Sequence, residues 1–573
     1  MGDFVIYKRD KLDEKGRDAI IETLAAQGSK NPRLIRADSH NILVYEKVIS
    51  PVINFTESDN GDFCASSGCF FYRGANGRTA LNQILHDFDP DNYSPKSFLG
   101  VFTLIIKKSG RLFVLSDPLG ASRMFHNRDK SIWSSSFLAL AENIDGLSIN
   151  AQGVYEYCFQ ETTYGETTPF NEIKMANSLK FFELTENGVI EHDQKASINF
   201  ETSTASYDDL IEEHSALLQN QMQSVVSSYG PKIATALSGG YDSRLMLSLA
   251  RNTGITPNVY VYGADGSPDV TVAKEIAKGQ EFNINHINKA NHPKPNTEIY
   301  ADIVKDTFYA LDGFPNEGIF DFGVNMITRR ERAQKGTLIL NGGGGEIYRN
   351  FFYLPDRRYS FSELLDVFYS RYTKDFCTAE FDEREYRNNL KTKIKLAIGI
   401  TDERMTRPEL EYVYPGFRLR YWTAKDNSNN NRIGSFLTPF ICYETIQATL
   451  KVPLKYKTHG KFQGDLINHV NPKLAAYLSD YGYRFNEPVP LGKKLKNNMT
   501  IYRPAWLRKH SYAIQHKMAK LALPPAMQDN YINSVLPGTP DYISRYFNIS
   551  EIRDAALLGR ALTLEYLFRH LKV

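Results

Sequence analysis

The sequence predicts two architectures in one chain. Residues 1–205 read as a layered α+β part. Residues 206–573 read as an α/β part with a doubly wound parallel sheet and a helical C-terminal stretch. Three observations carry this. Up to about residue 200, short apolar or alternating runs are separated by Gly, Asn and Ser. From 231 onward, strand-length apolar runs alternate with helix-length amphipathic ones, the pattern of parallel strands joined by crossover helices. The polar stretch NFETSTASYDD (199–209) lies between the two.

In the first part, NILVYEKVIS (41–50), GVFTLIIKKSGRLFVLSD (100–117) and KSIWSSSF (130–137) read as strands. The short polar turn KSG between 101–107 and 111–116 predicts a hairpin. RTALNQILHDF (78–88) predicts a helix packed on a sheet. DLIEEHSALLQNQMQSVVSSY (209–229) places Leu210, Leu217, Leu218, Met222 and Val225 on one broad face and predicts an amphipathic helix.

The second part begins with a strand, KIATAL, then SGG, then a helix YDSRLMLSLARNTG ending near Gly254. A strand NVYVYG (258–263), a helix DVTVAKEIAKGQ (269–280) and a strand EFNINHI (281–287) follow. GTLILNGGGGE (336–346) adds a strand with a flexible end. Beyond about 355 the pattern is mostly helical, with TAKDNSNNNR (423–432) read as a polar loop and PLGKKLKNN (490–498) as a mobile basic loop. In NISEIRDAALLGRALTLEYLFRHL, Asn548 stands three residues before Glu551, a capping-box pattern ahead of an apolar stripe.

Composition narrows the function classes. A formal net charge of +2 argues for neither a nucleic-acid binder nor a membrane-surface protein. Five scattered cysteines (Cys64, Cys69, Cys158, Cys377 and Cys442) complete no metal-ligand spacing and suit a reducing compartment. No apolar run reaches the roughly 18 residues of a membrane span. The N-terminus lacks the apolar core of a secretory signal, and Ile6 breaks the myristoylation pattern that Gly2 would open. A cytoplasmic place is expected.

The stretch ALSGGYDSRL (236–245) asks why Ser, two Gly and an Asp end a buried strand. Consecutive glycines let backbone N–H groups approach an anion closely, and a helix N-terminus adds free donors and partial positive charge. Ser238 and Ser243 supply hydroxyls. Asp242 would repel a bare phosphate, so its presence implies a divalent cation between them, Mg²⁺ being the usual one. No G-K-[ST] follows, so this is not the Walker A pattern.

SGGYDS (238–243) resembles the SGG[LMY]DS pyrophosphate loop of the ATP-pyrophosphatase class, whose members cleave ATP between its α and β phosphates. Within that class the chain resembles the asparagine synthetase family. LILNGGGGEIYR (338–349) is similar to the family's strand and S-G-E-G-S-D-E loop: Asn341 to Glu346 occupy its first six positions, Gly343 stands where the family has its first Glu, and Glu346 stands where it has a metal-binding Asp. LTPFICYETIQATLKVPLKYK (437–457) matches the family's PFLD segment at Pro439 and Phe440, with Cys442 in place of Asp, and GRALTLEYLFRHL resembles its closing helix. SFLGVFTLIIKKSGRLFVLSDPLGASRMFH (97–126) is similar to the family's glutaminase domain.

The resemblance implies an Ntn-type glutaminase-like sandwich over 1–205 and an adenine nucleotide α-hydrolase-like ATP-binding domain over 206–573. Family glutaminases carry a cysteine directly after the initiator Met, and this chain has Gly2 there. The first domain is therefore read as inactive, and the chain resembles β-lactam synthetases and lasso peptide cyclases, which join a carboxylate to an amine without glutamine. The expected chemistry is amide-bond formation through an acyl adenylate, with ATP and Mg²⁺ as cofactors and AMP and pyrophosphate as products. The resemblance assigns nucleotide contacts to Ala236, Ser238, Gly239, Gly240, Asp242, Ser243, Val261, Asn341 and Gly342, and metal ligation to Asp242 and Glu346. The Asp269 region after the second strand is a further candidate. Lys461, Lys493 and Lys494 are candidates for the family's transition-state lysine, and Glu317 and Glu363 for a substrate-side carboxylate. The expected partner is a small-molecule or peptide carboxylate, with a homodimer open and no nucleic acid or membrane. Two alternatives stand beside this: a non-catalytic scaffold, and a tRNA-binding or tRNA-modifying protein using the basic, aromatic stretch 493–520.

Overall fold

The computed structural model describes residues 2–93, 96–194, 197–372 and 374–573. Period-two alternation builds the first part. In the strand Phe4–Lys8, Phe4 and Ile6 point into one core and Val5 and Tyr7 into another. Two six-stranded antiparallel sheets result. One runs Ile173–Met175, Phe125–Asn127, Ile132–Ser134, Phe4–Lys8, His40–Val44, Arg33–Ala37. The other runs Gly188–Asp193, Lys180–Thr185, Arg111–Ser116, Phe98–Lys108, Phe63–Tyr72, Phe55–Glu57. They meet across Phe4, Ile6, Val44, Ile105, Val114, Trp133 and Phe182. Outside them, the helix Glu14–Ala26 sets Ile20 and Leu24 among Val5 and Tyr7, and the helix Gly77–Asp87 sets Leu81 and Ile84 among Phe102 and Leu104. The expected hairpin turns on Ser109 (φ 52°) and Gly110 (φ 76°), the paired left-handed conformation that matches strand twist.

The second part opens with the helix Tyr207–Tyr229, whose Ser206 and Asp209 form a reciprocal capping box. A five-stranded, wholly parallel sheet follows, ordered Ile284–Ile287, Asn258–Tyr262, Ile233–Ala236, Leu338–Leu340, Ser435–Leu437. From Ile233–Ala236 the chain first winds toward one edge, then returns to place Leu338–Leu340 on the other side. The two adjacent strands thus flank the point where strand order reverses, the crevice in which open α/β sheets hold ligands. The expected mixture of antiparallel layers, parallel sheet and helical C-terminal stretch is present. No helix among the described residues is long and apolar enough to cross a membrane.

Three local expectations are corrected. Residues 423–432 form no loop: they lie in the helix Arg420–Ile433, nearly all of it buried. Its polar side chains bond to backbone that would otherwise be unsatisfied, as when Asn429 donates to the Leu311 carbonyl (3.2 Å) and Asn431 exchanges bonds with Phe436 (3.1 and 3.2 Å). The stretch 490–498 is likewise helical, within Leu491–Ile501. Asn548 caps no long helix. It precedes a single 3₁₀ turn, and the C-terminal helix Ala555–Leu571 is capped by Asp554 on the Ala556 and Leu557 amides.

Candidate functional site

The first loop leaves the Ile233–Ala236 strand at the crevice and enters the helix Tyr241–Asn252. Gly240 is the helix N-cap and offers no side chain to the first-turn amides, which face the crevice as uncapped donors. The loop is braced from within. The Ser238 amide donates to Ser243 Oγ (2.9 Å), the two hydroxyls lie 2.9 Å apart, and the Gly240 amide donates to Ser238 Oγ (3.3 Å). Asp269, at the start of the next crossover helix, accepts the Gly239 amide at 2.8 Å. Behind the loop, buried Arg244 donates to the carbonyls of Tyr477 (2.8 Å), Leu478 (3.0 Å) and Gly239 (3.3 Å). Only glycine fits at 239, where a Cβ would come within 2.6 Å of the Asp480 Cβ.

The second loop leaves Leu338–Leu340 through Asn341 and the four glycines and closes in the 3₁₀ turn Gly345–Tyr348. It is pressed onto the first. A Cβ at Gly345 would lie 2.4 Å from Asp242 Oδ1, and one at Gly342 would lie 3.1 Å from the Asp242 backbone. The glycine run thereby brings Glu346 and Arg349 beside Asp242. Arg349 Nη2 donates to Asp242 Oδ2 (2.9 Å) and Oδ1 (3.2 Å) and stands 3.7 Å from Glu346 Oε1. Gln463 Nε2 donates to Asp242 Oδ1 (2.7 Å), and Tyr414 donates to Glu346 Oε2 (2.8 Å).

Burial pushes the Asp242 carboxyl up to about 6; Glu346 adds to the rise while Arg349 and Gln463 oppose it. The two carboxylates raise the Arg349 guanidinium further above its ordinary range. Arg349 Nε is buried without an acceptor. Two carboxylates from two loops thus converge on one cationic position beside uncapped helix amides. That arrangement fits Mg²⁺, which is commonly held by one or two carboxylates with phosphate oxygens completing its shell. Among the described residues no cluster of three His, Cys, Asp or Glu would hold a metal unaided.

The structure therefore brings together Ser238, Gly239, Gly240, Asp242, Ser243, Gly342 and Glu346. Asn341 lies at the same crevice, its side chain turned back to accept the Gly343 amide (3.0 Å). Ala236 ends its strand on the sheet face that also carries Tyr262. Val261 has its side chain buried beneath the sheet with Leu237 and Val270, and the next residue, Tyr262, lies on the Ala236 side.

Among the described residues, none of the three candidate lysines is bonded to Asp242 or Glu346. Lys461 pairs with Asp465 and covers the Tyr207 ring (4.0 Å). It is two residues from Gln463 on the same helix and points away from the face that carries Gln463 to Asp242. Lys493 is exposed on the Leu491–Ile501 helix, and half-buried Lys494 faces His459 rather than the acid pair. Glu317 accepts from Asn325 (2.7 Å) and shares no contact with Asp242; Glu363 is a helix cap, bonded to Ser360 and Arg357. Arg349, Gln463 and Tyr414 are the residues that sequence reasoning missed. Only Arg349 left a signal, three places beyond Glu346.

No known protein family matches the chain, and no curated protein matches it. Among solved structures it is similar to a glutamine phosphoribosylpyrophosphate amidotransferase from B. subtilis complexed with ADP and GMP (9% identity, TM-score 0.23), the match covering 50% of this chain and 65% of that one. It is also similar to an allosteric regulatory enzyme of purine biosynthesis (10% identity, 51% and 82% covered, TM-score 0.24). A third is a glutamine-dependent NAD+ synthetase from Acinetobacter baumannii in complex with ADP (15% identity, 51% and 60% covered, TM-score 0.17). Likenesses of this depth decide neither fold family nor activity.

Proposed function

We propose that the chain is an ATP-dependent carbon–nitrogen ligase of the ATP-pyrophosphatase type. One observation supports this above the others: two loops from the strands flanking the switch point place Asp242, Glu346 and Arg349 around a single point beside the uncapped N-terminus of the Tyr241–Asn252 helix. In this reading the uncapped amides and the Ser238 and Ser243 hydroxyls receive the β and γ phosphates. A substrate carboxylate oxygen attacks the α phosphorus, the bond to the bridging oxygen breaks, and pyrophosphate leaves. The nitrogen of a substrate amine or of ammonia then attacks the acyl carbon, loses a proton, and displaces AMP. Arg349 is the cation set to meet the charge growing on the pyrophosphate, since it already lies against both Asp242 and Glu346. Mg²⁺, held by Asp242 and Glu346, would neutralise phosphate charge at the same point.

The same reading divides the chain into a glutaminase-like domain over 1–205 and an ATP-binding domain over 206–573. It takes the first as inactive. Position 2 has no nucleophile, and a Cβ there would sit 2.8 Å from the Glu46 carbonyl oxygen, so a cysteine would not fit this backbone. The test is pyrophosphate release from ATP with a panel of carboxylic acids and amines, with and without glutamine. Acid-dependent release that glutamine does not stimulate supports the proposal. Glutamine-dependent amide formation would overturn the domain assignment, and ATP cleavage to ADP would overturn the ligase class.

A further inference from the structure

The basic, aromatic stretch near the C-terminus supplies no bond to Asp242, Glu346 or Arg349 among the described residues. Residues 488–528 contain eight of the chain's 68 lysines and arginines and none of its 66 acidic residues, so the overall charge of +2 conceals a strongly cationic segment. It folds into two consecutive helices, Leu491–Ile501 and Ala505–Met518. Their inner faces are anchored. Ile501 is buried, and Arg508, only 4% exposed, donates to the Phe352 carbonyl (2.9 Å) and to those of Tyr353 and Thr500. Tyr512 donates to the Val367 carbonyl (3.0 Å).

Their outer faces are apolar and open. Leu491, Leu495 and Met499 follow one another at one-turn spacing and are 77%, 64% and 77% exposed. Tyr502, Trp506, Ile514 and Met518 continue the stripe at 72%, 60%, 57% and 79%. Eight of the seventeen exposed large apolar side chains among the described residues fall between 491 and 518. Beside them Lys493, Lys496 and Lys520 are exposed, and neither they nor Lys494 pair with a carboxylate among the described residues. The side chains of His516 and Lys517 lie outside the described residues.

We propose that this helical pair is a docking face for an anionic lipid surface. The occupant has to offer an apolar phase to the Leu–Met–Trp stripe and negative charge to the lysines beside it. A nucleic acid offers charge and bases to stack on Tyr502 and Trp506 but no apolar phase for Leu491, Leu495, Met499, Ile514 and Met518, and a second copy of this chain would bring its own lysines against them. An anionic bilayer interface offers both, and a basic helix with an apolar outer face and an interfacial Trp lies in it without spanning. Lysines at the rim and acyl-chain contact with Leu495, Met499 and Trp506 together hold the protein at the surface.

The full chain is sedimented with phosphatidylcholine vesicles, alone or with about 30% phosphatidylglycerol. Binding to the anionic vesicles, at least about tenfold above neutral ones and weakened by salt, is expected. A blue shift of Trp506 fluorescence should accompany it, absent in Trp506→Ala. Leu495→Glu with Met499→Glu, both on exposed positions, should abolish sedimentation with an unchanged circular dichroism spectrum. No enrichment on anionic vesicles, or binding that survives the double substitution, would overturn the proposal. So would light scattering that shows the face occupied by a second copy. The exposed stripe and lysines make no bond to Asp242, so vesicle binding is expected in the Asp242→Asn protein as well.

Discussion

Two carboxylate–guanidinium pairs, one buried and one half-buried, invite comparison. Asp3 and Arg432 are each 2% exposed, with Nε to Oδ2 at 2.8 Å. Asp3 also accepts from Ser29 (2.6 Å) and Ser135 (2.9 Å), so it is enclosed by donors. Asp242 and Arg349 lie at nearly the same separation, 2.9 Å, but are 22% and 21% exposed and open on the crevice. Burial raises the Asp242 carboxyl, a second acid shares its cation, and Arg349 Nε has no acceptor. The first pair ties the N-terminal strand to the buried polar helix and has nothing left to offer a ligand. The second is incompletely satisfied where a helix end is also uncapped, which is the condition for binding something else.

The contrast is broken most severely at the closed pair. Asp3→Asn leaves Arg432 charged and buried, and a loss of about 3 kcal/mol or more in denaturant unfolding is expected, with no specific effect on nucleotide binding. Asp242→Asn should do the reverse. Pyrophosphate release falls at least about 100-fold, while stability at neutral pH is held or raised, because a neutral amide replaces a carboxylate that burial disfavours. If both variants simply unfolded, the distinction between a structural and a functional pair would be gone.

A smaller effect follows from pH. The folded state holds the Asp242 proton up to about pH 6, above the ordinary value of 3.8. Stability from this group is therefore full below about pH 4 and is lost as pH rises through about 6, by roughly 1–3 kcal/mol. Thermal unfolding followed across that window should show the slope in the native protein and lose it in Asp242→Asn. Smallest of all is Lys461→Ala. An exposed pair with Asp465 contributes about 1 kcal/mol or less, and pyrophosphate release is expected within about twofold of the native rate. A large loss would return Lys461 to the site.

Much of this arrangement is legible in the residues. Alternating strand and helix lengths from 231 disclose the parallel sheet, and SGGYDS followed by GGGGE marks the two loops that meet at its switch point. The rest is hidden for physical reasons. TAKDNSNNNR looks like a loop because polarity suggests solvent, yet its amides are partners for buried carbonyls, which no periodicity reveals. Lys493 and Lys494 look mobile in a Gly- and Lys-rich run, but Leu491, Leu495 and Met499 recur at helical spacing and face outward instead of toward a core. Gln463 and Tyr414 reach Asp242 and Glu346 only because distant helices fold back onto the crevice.

The most direct measurement is equilibrium binding of α,β-methylene ATP with and without Mg²⁺ to the native protein, Asp242→Asn and Arg349→Ala. Mg²⁺-dependent binding to the native chain is expected, with affinity lowered at least about tenfold in each variant. Nucleotide affinity that is indifferent to Mg²⁺ and unchanged by both substitutions would contradict the placement of the phosphates between the two loops.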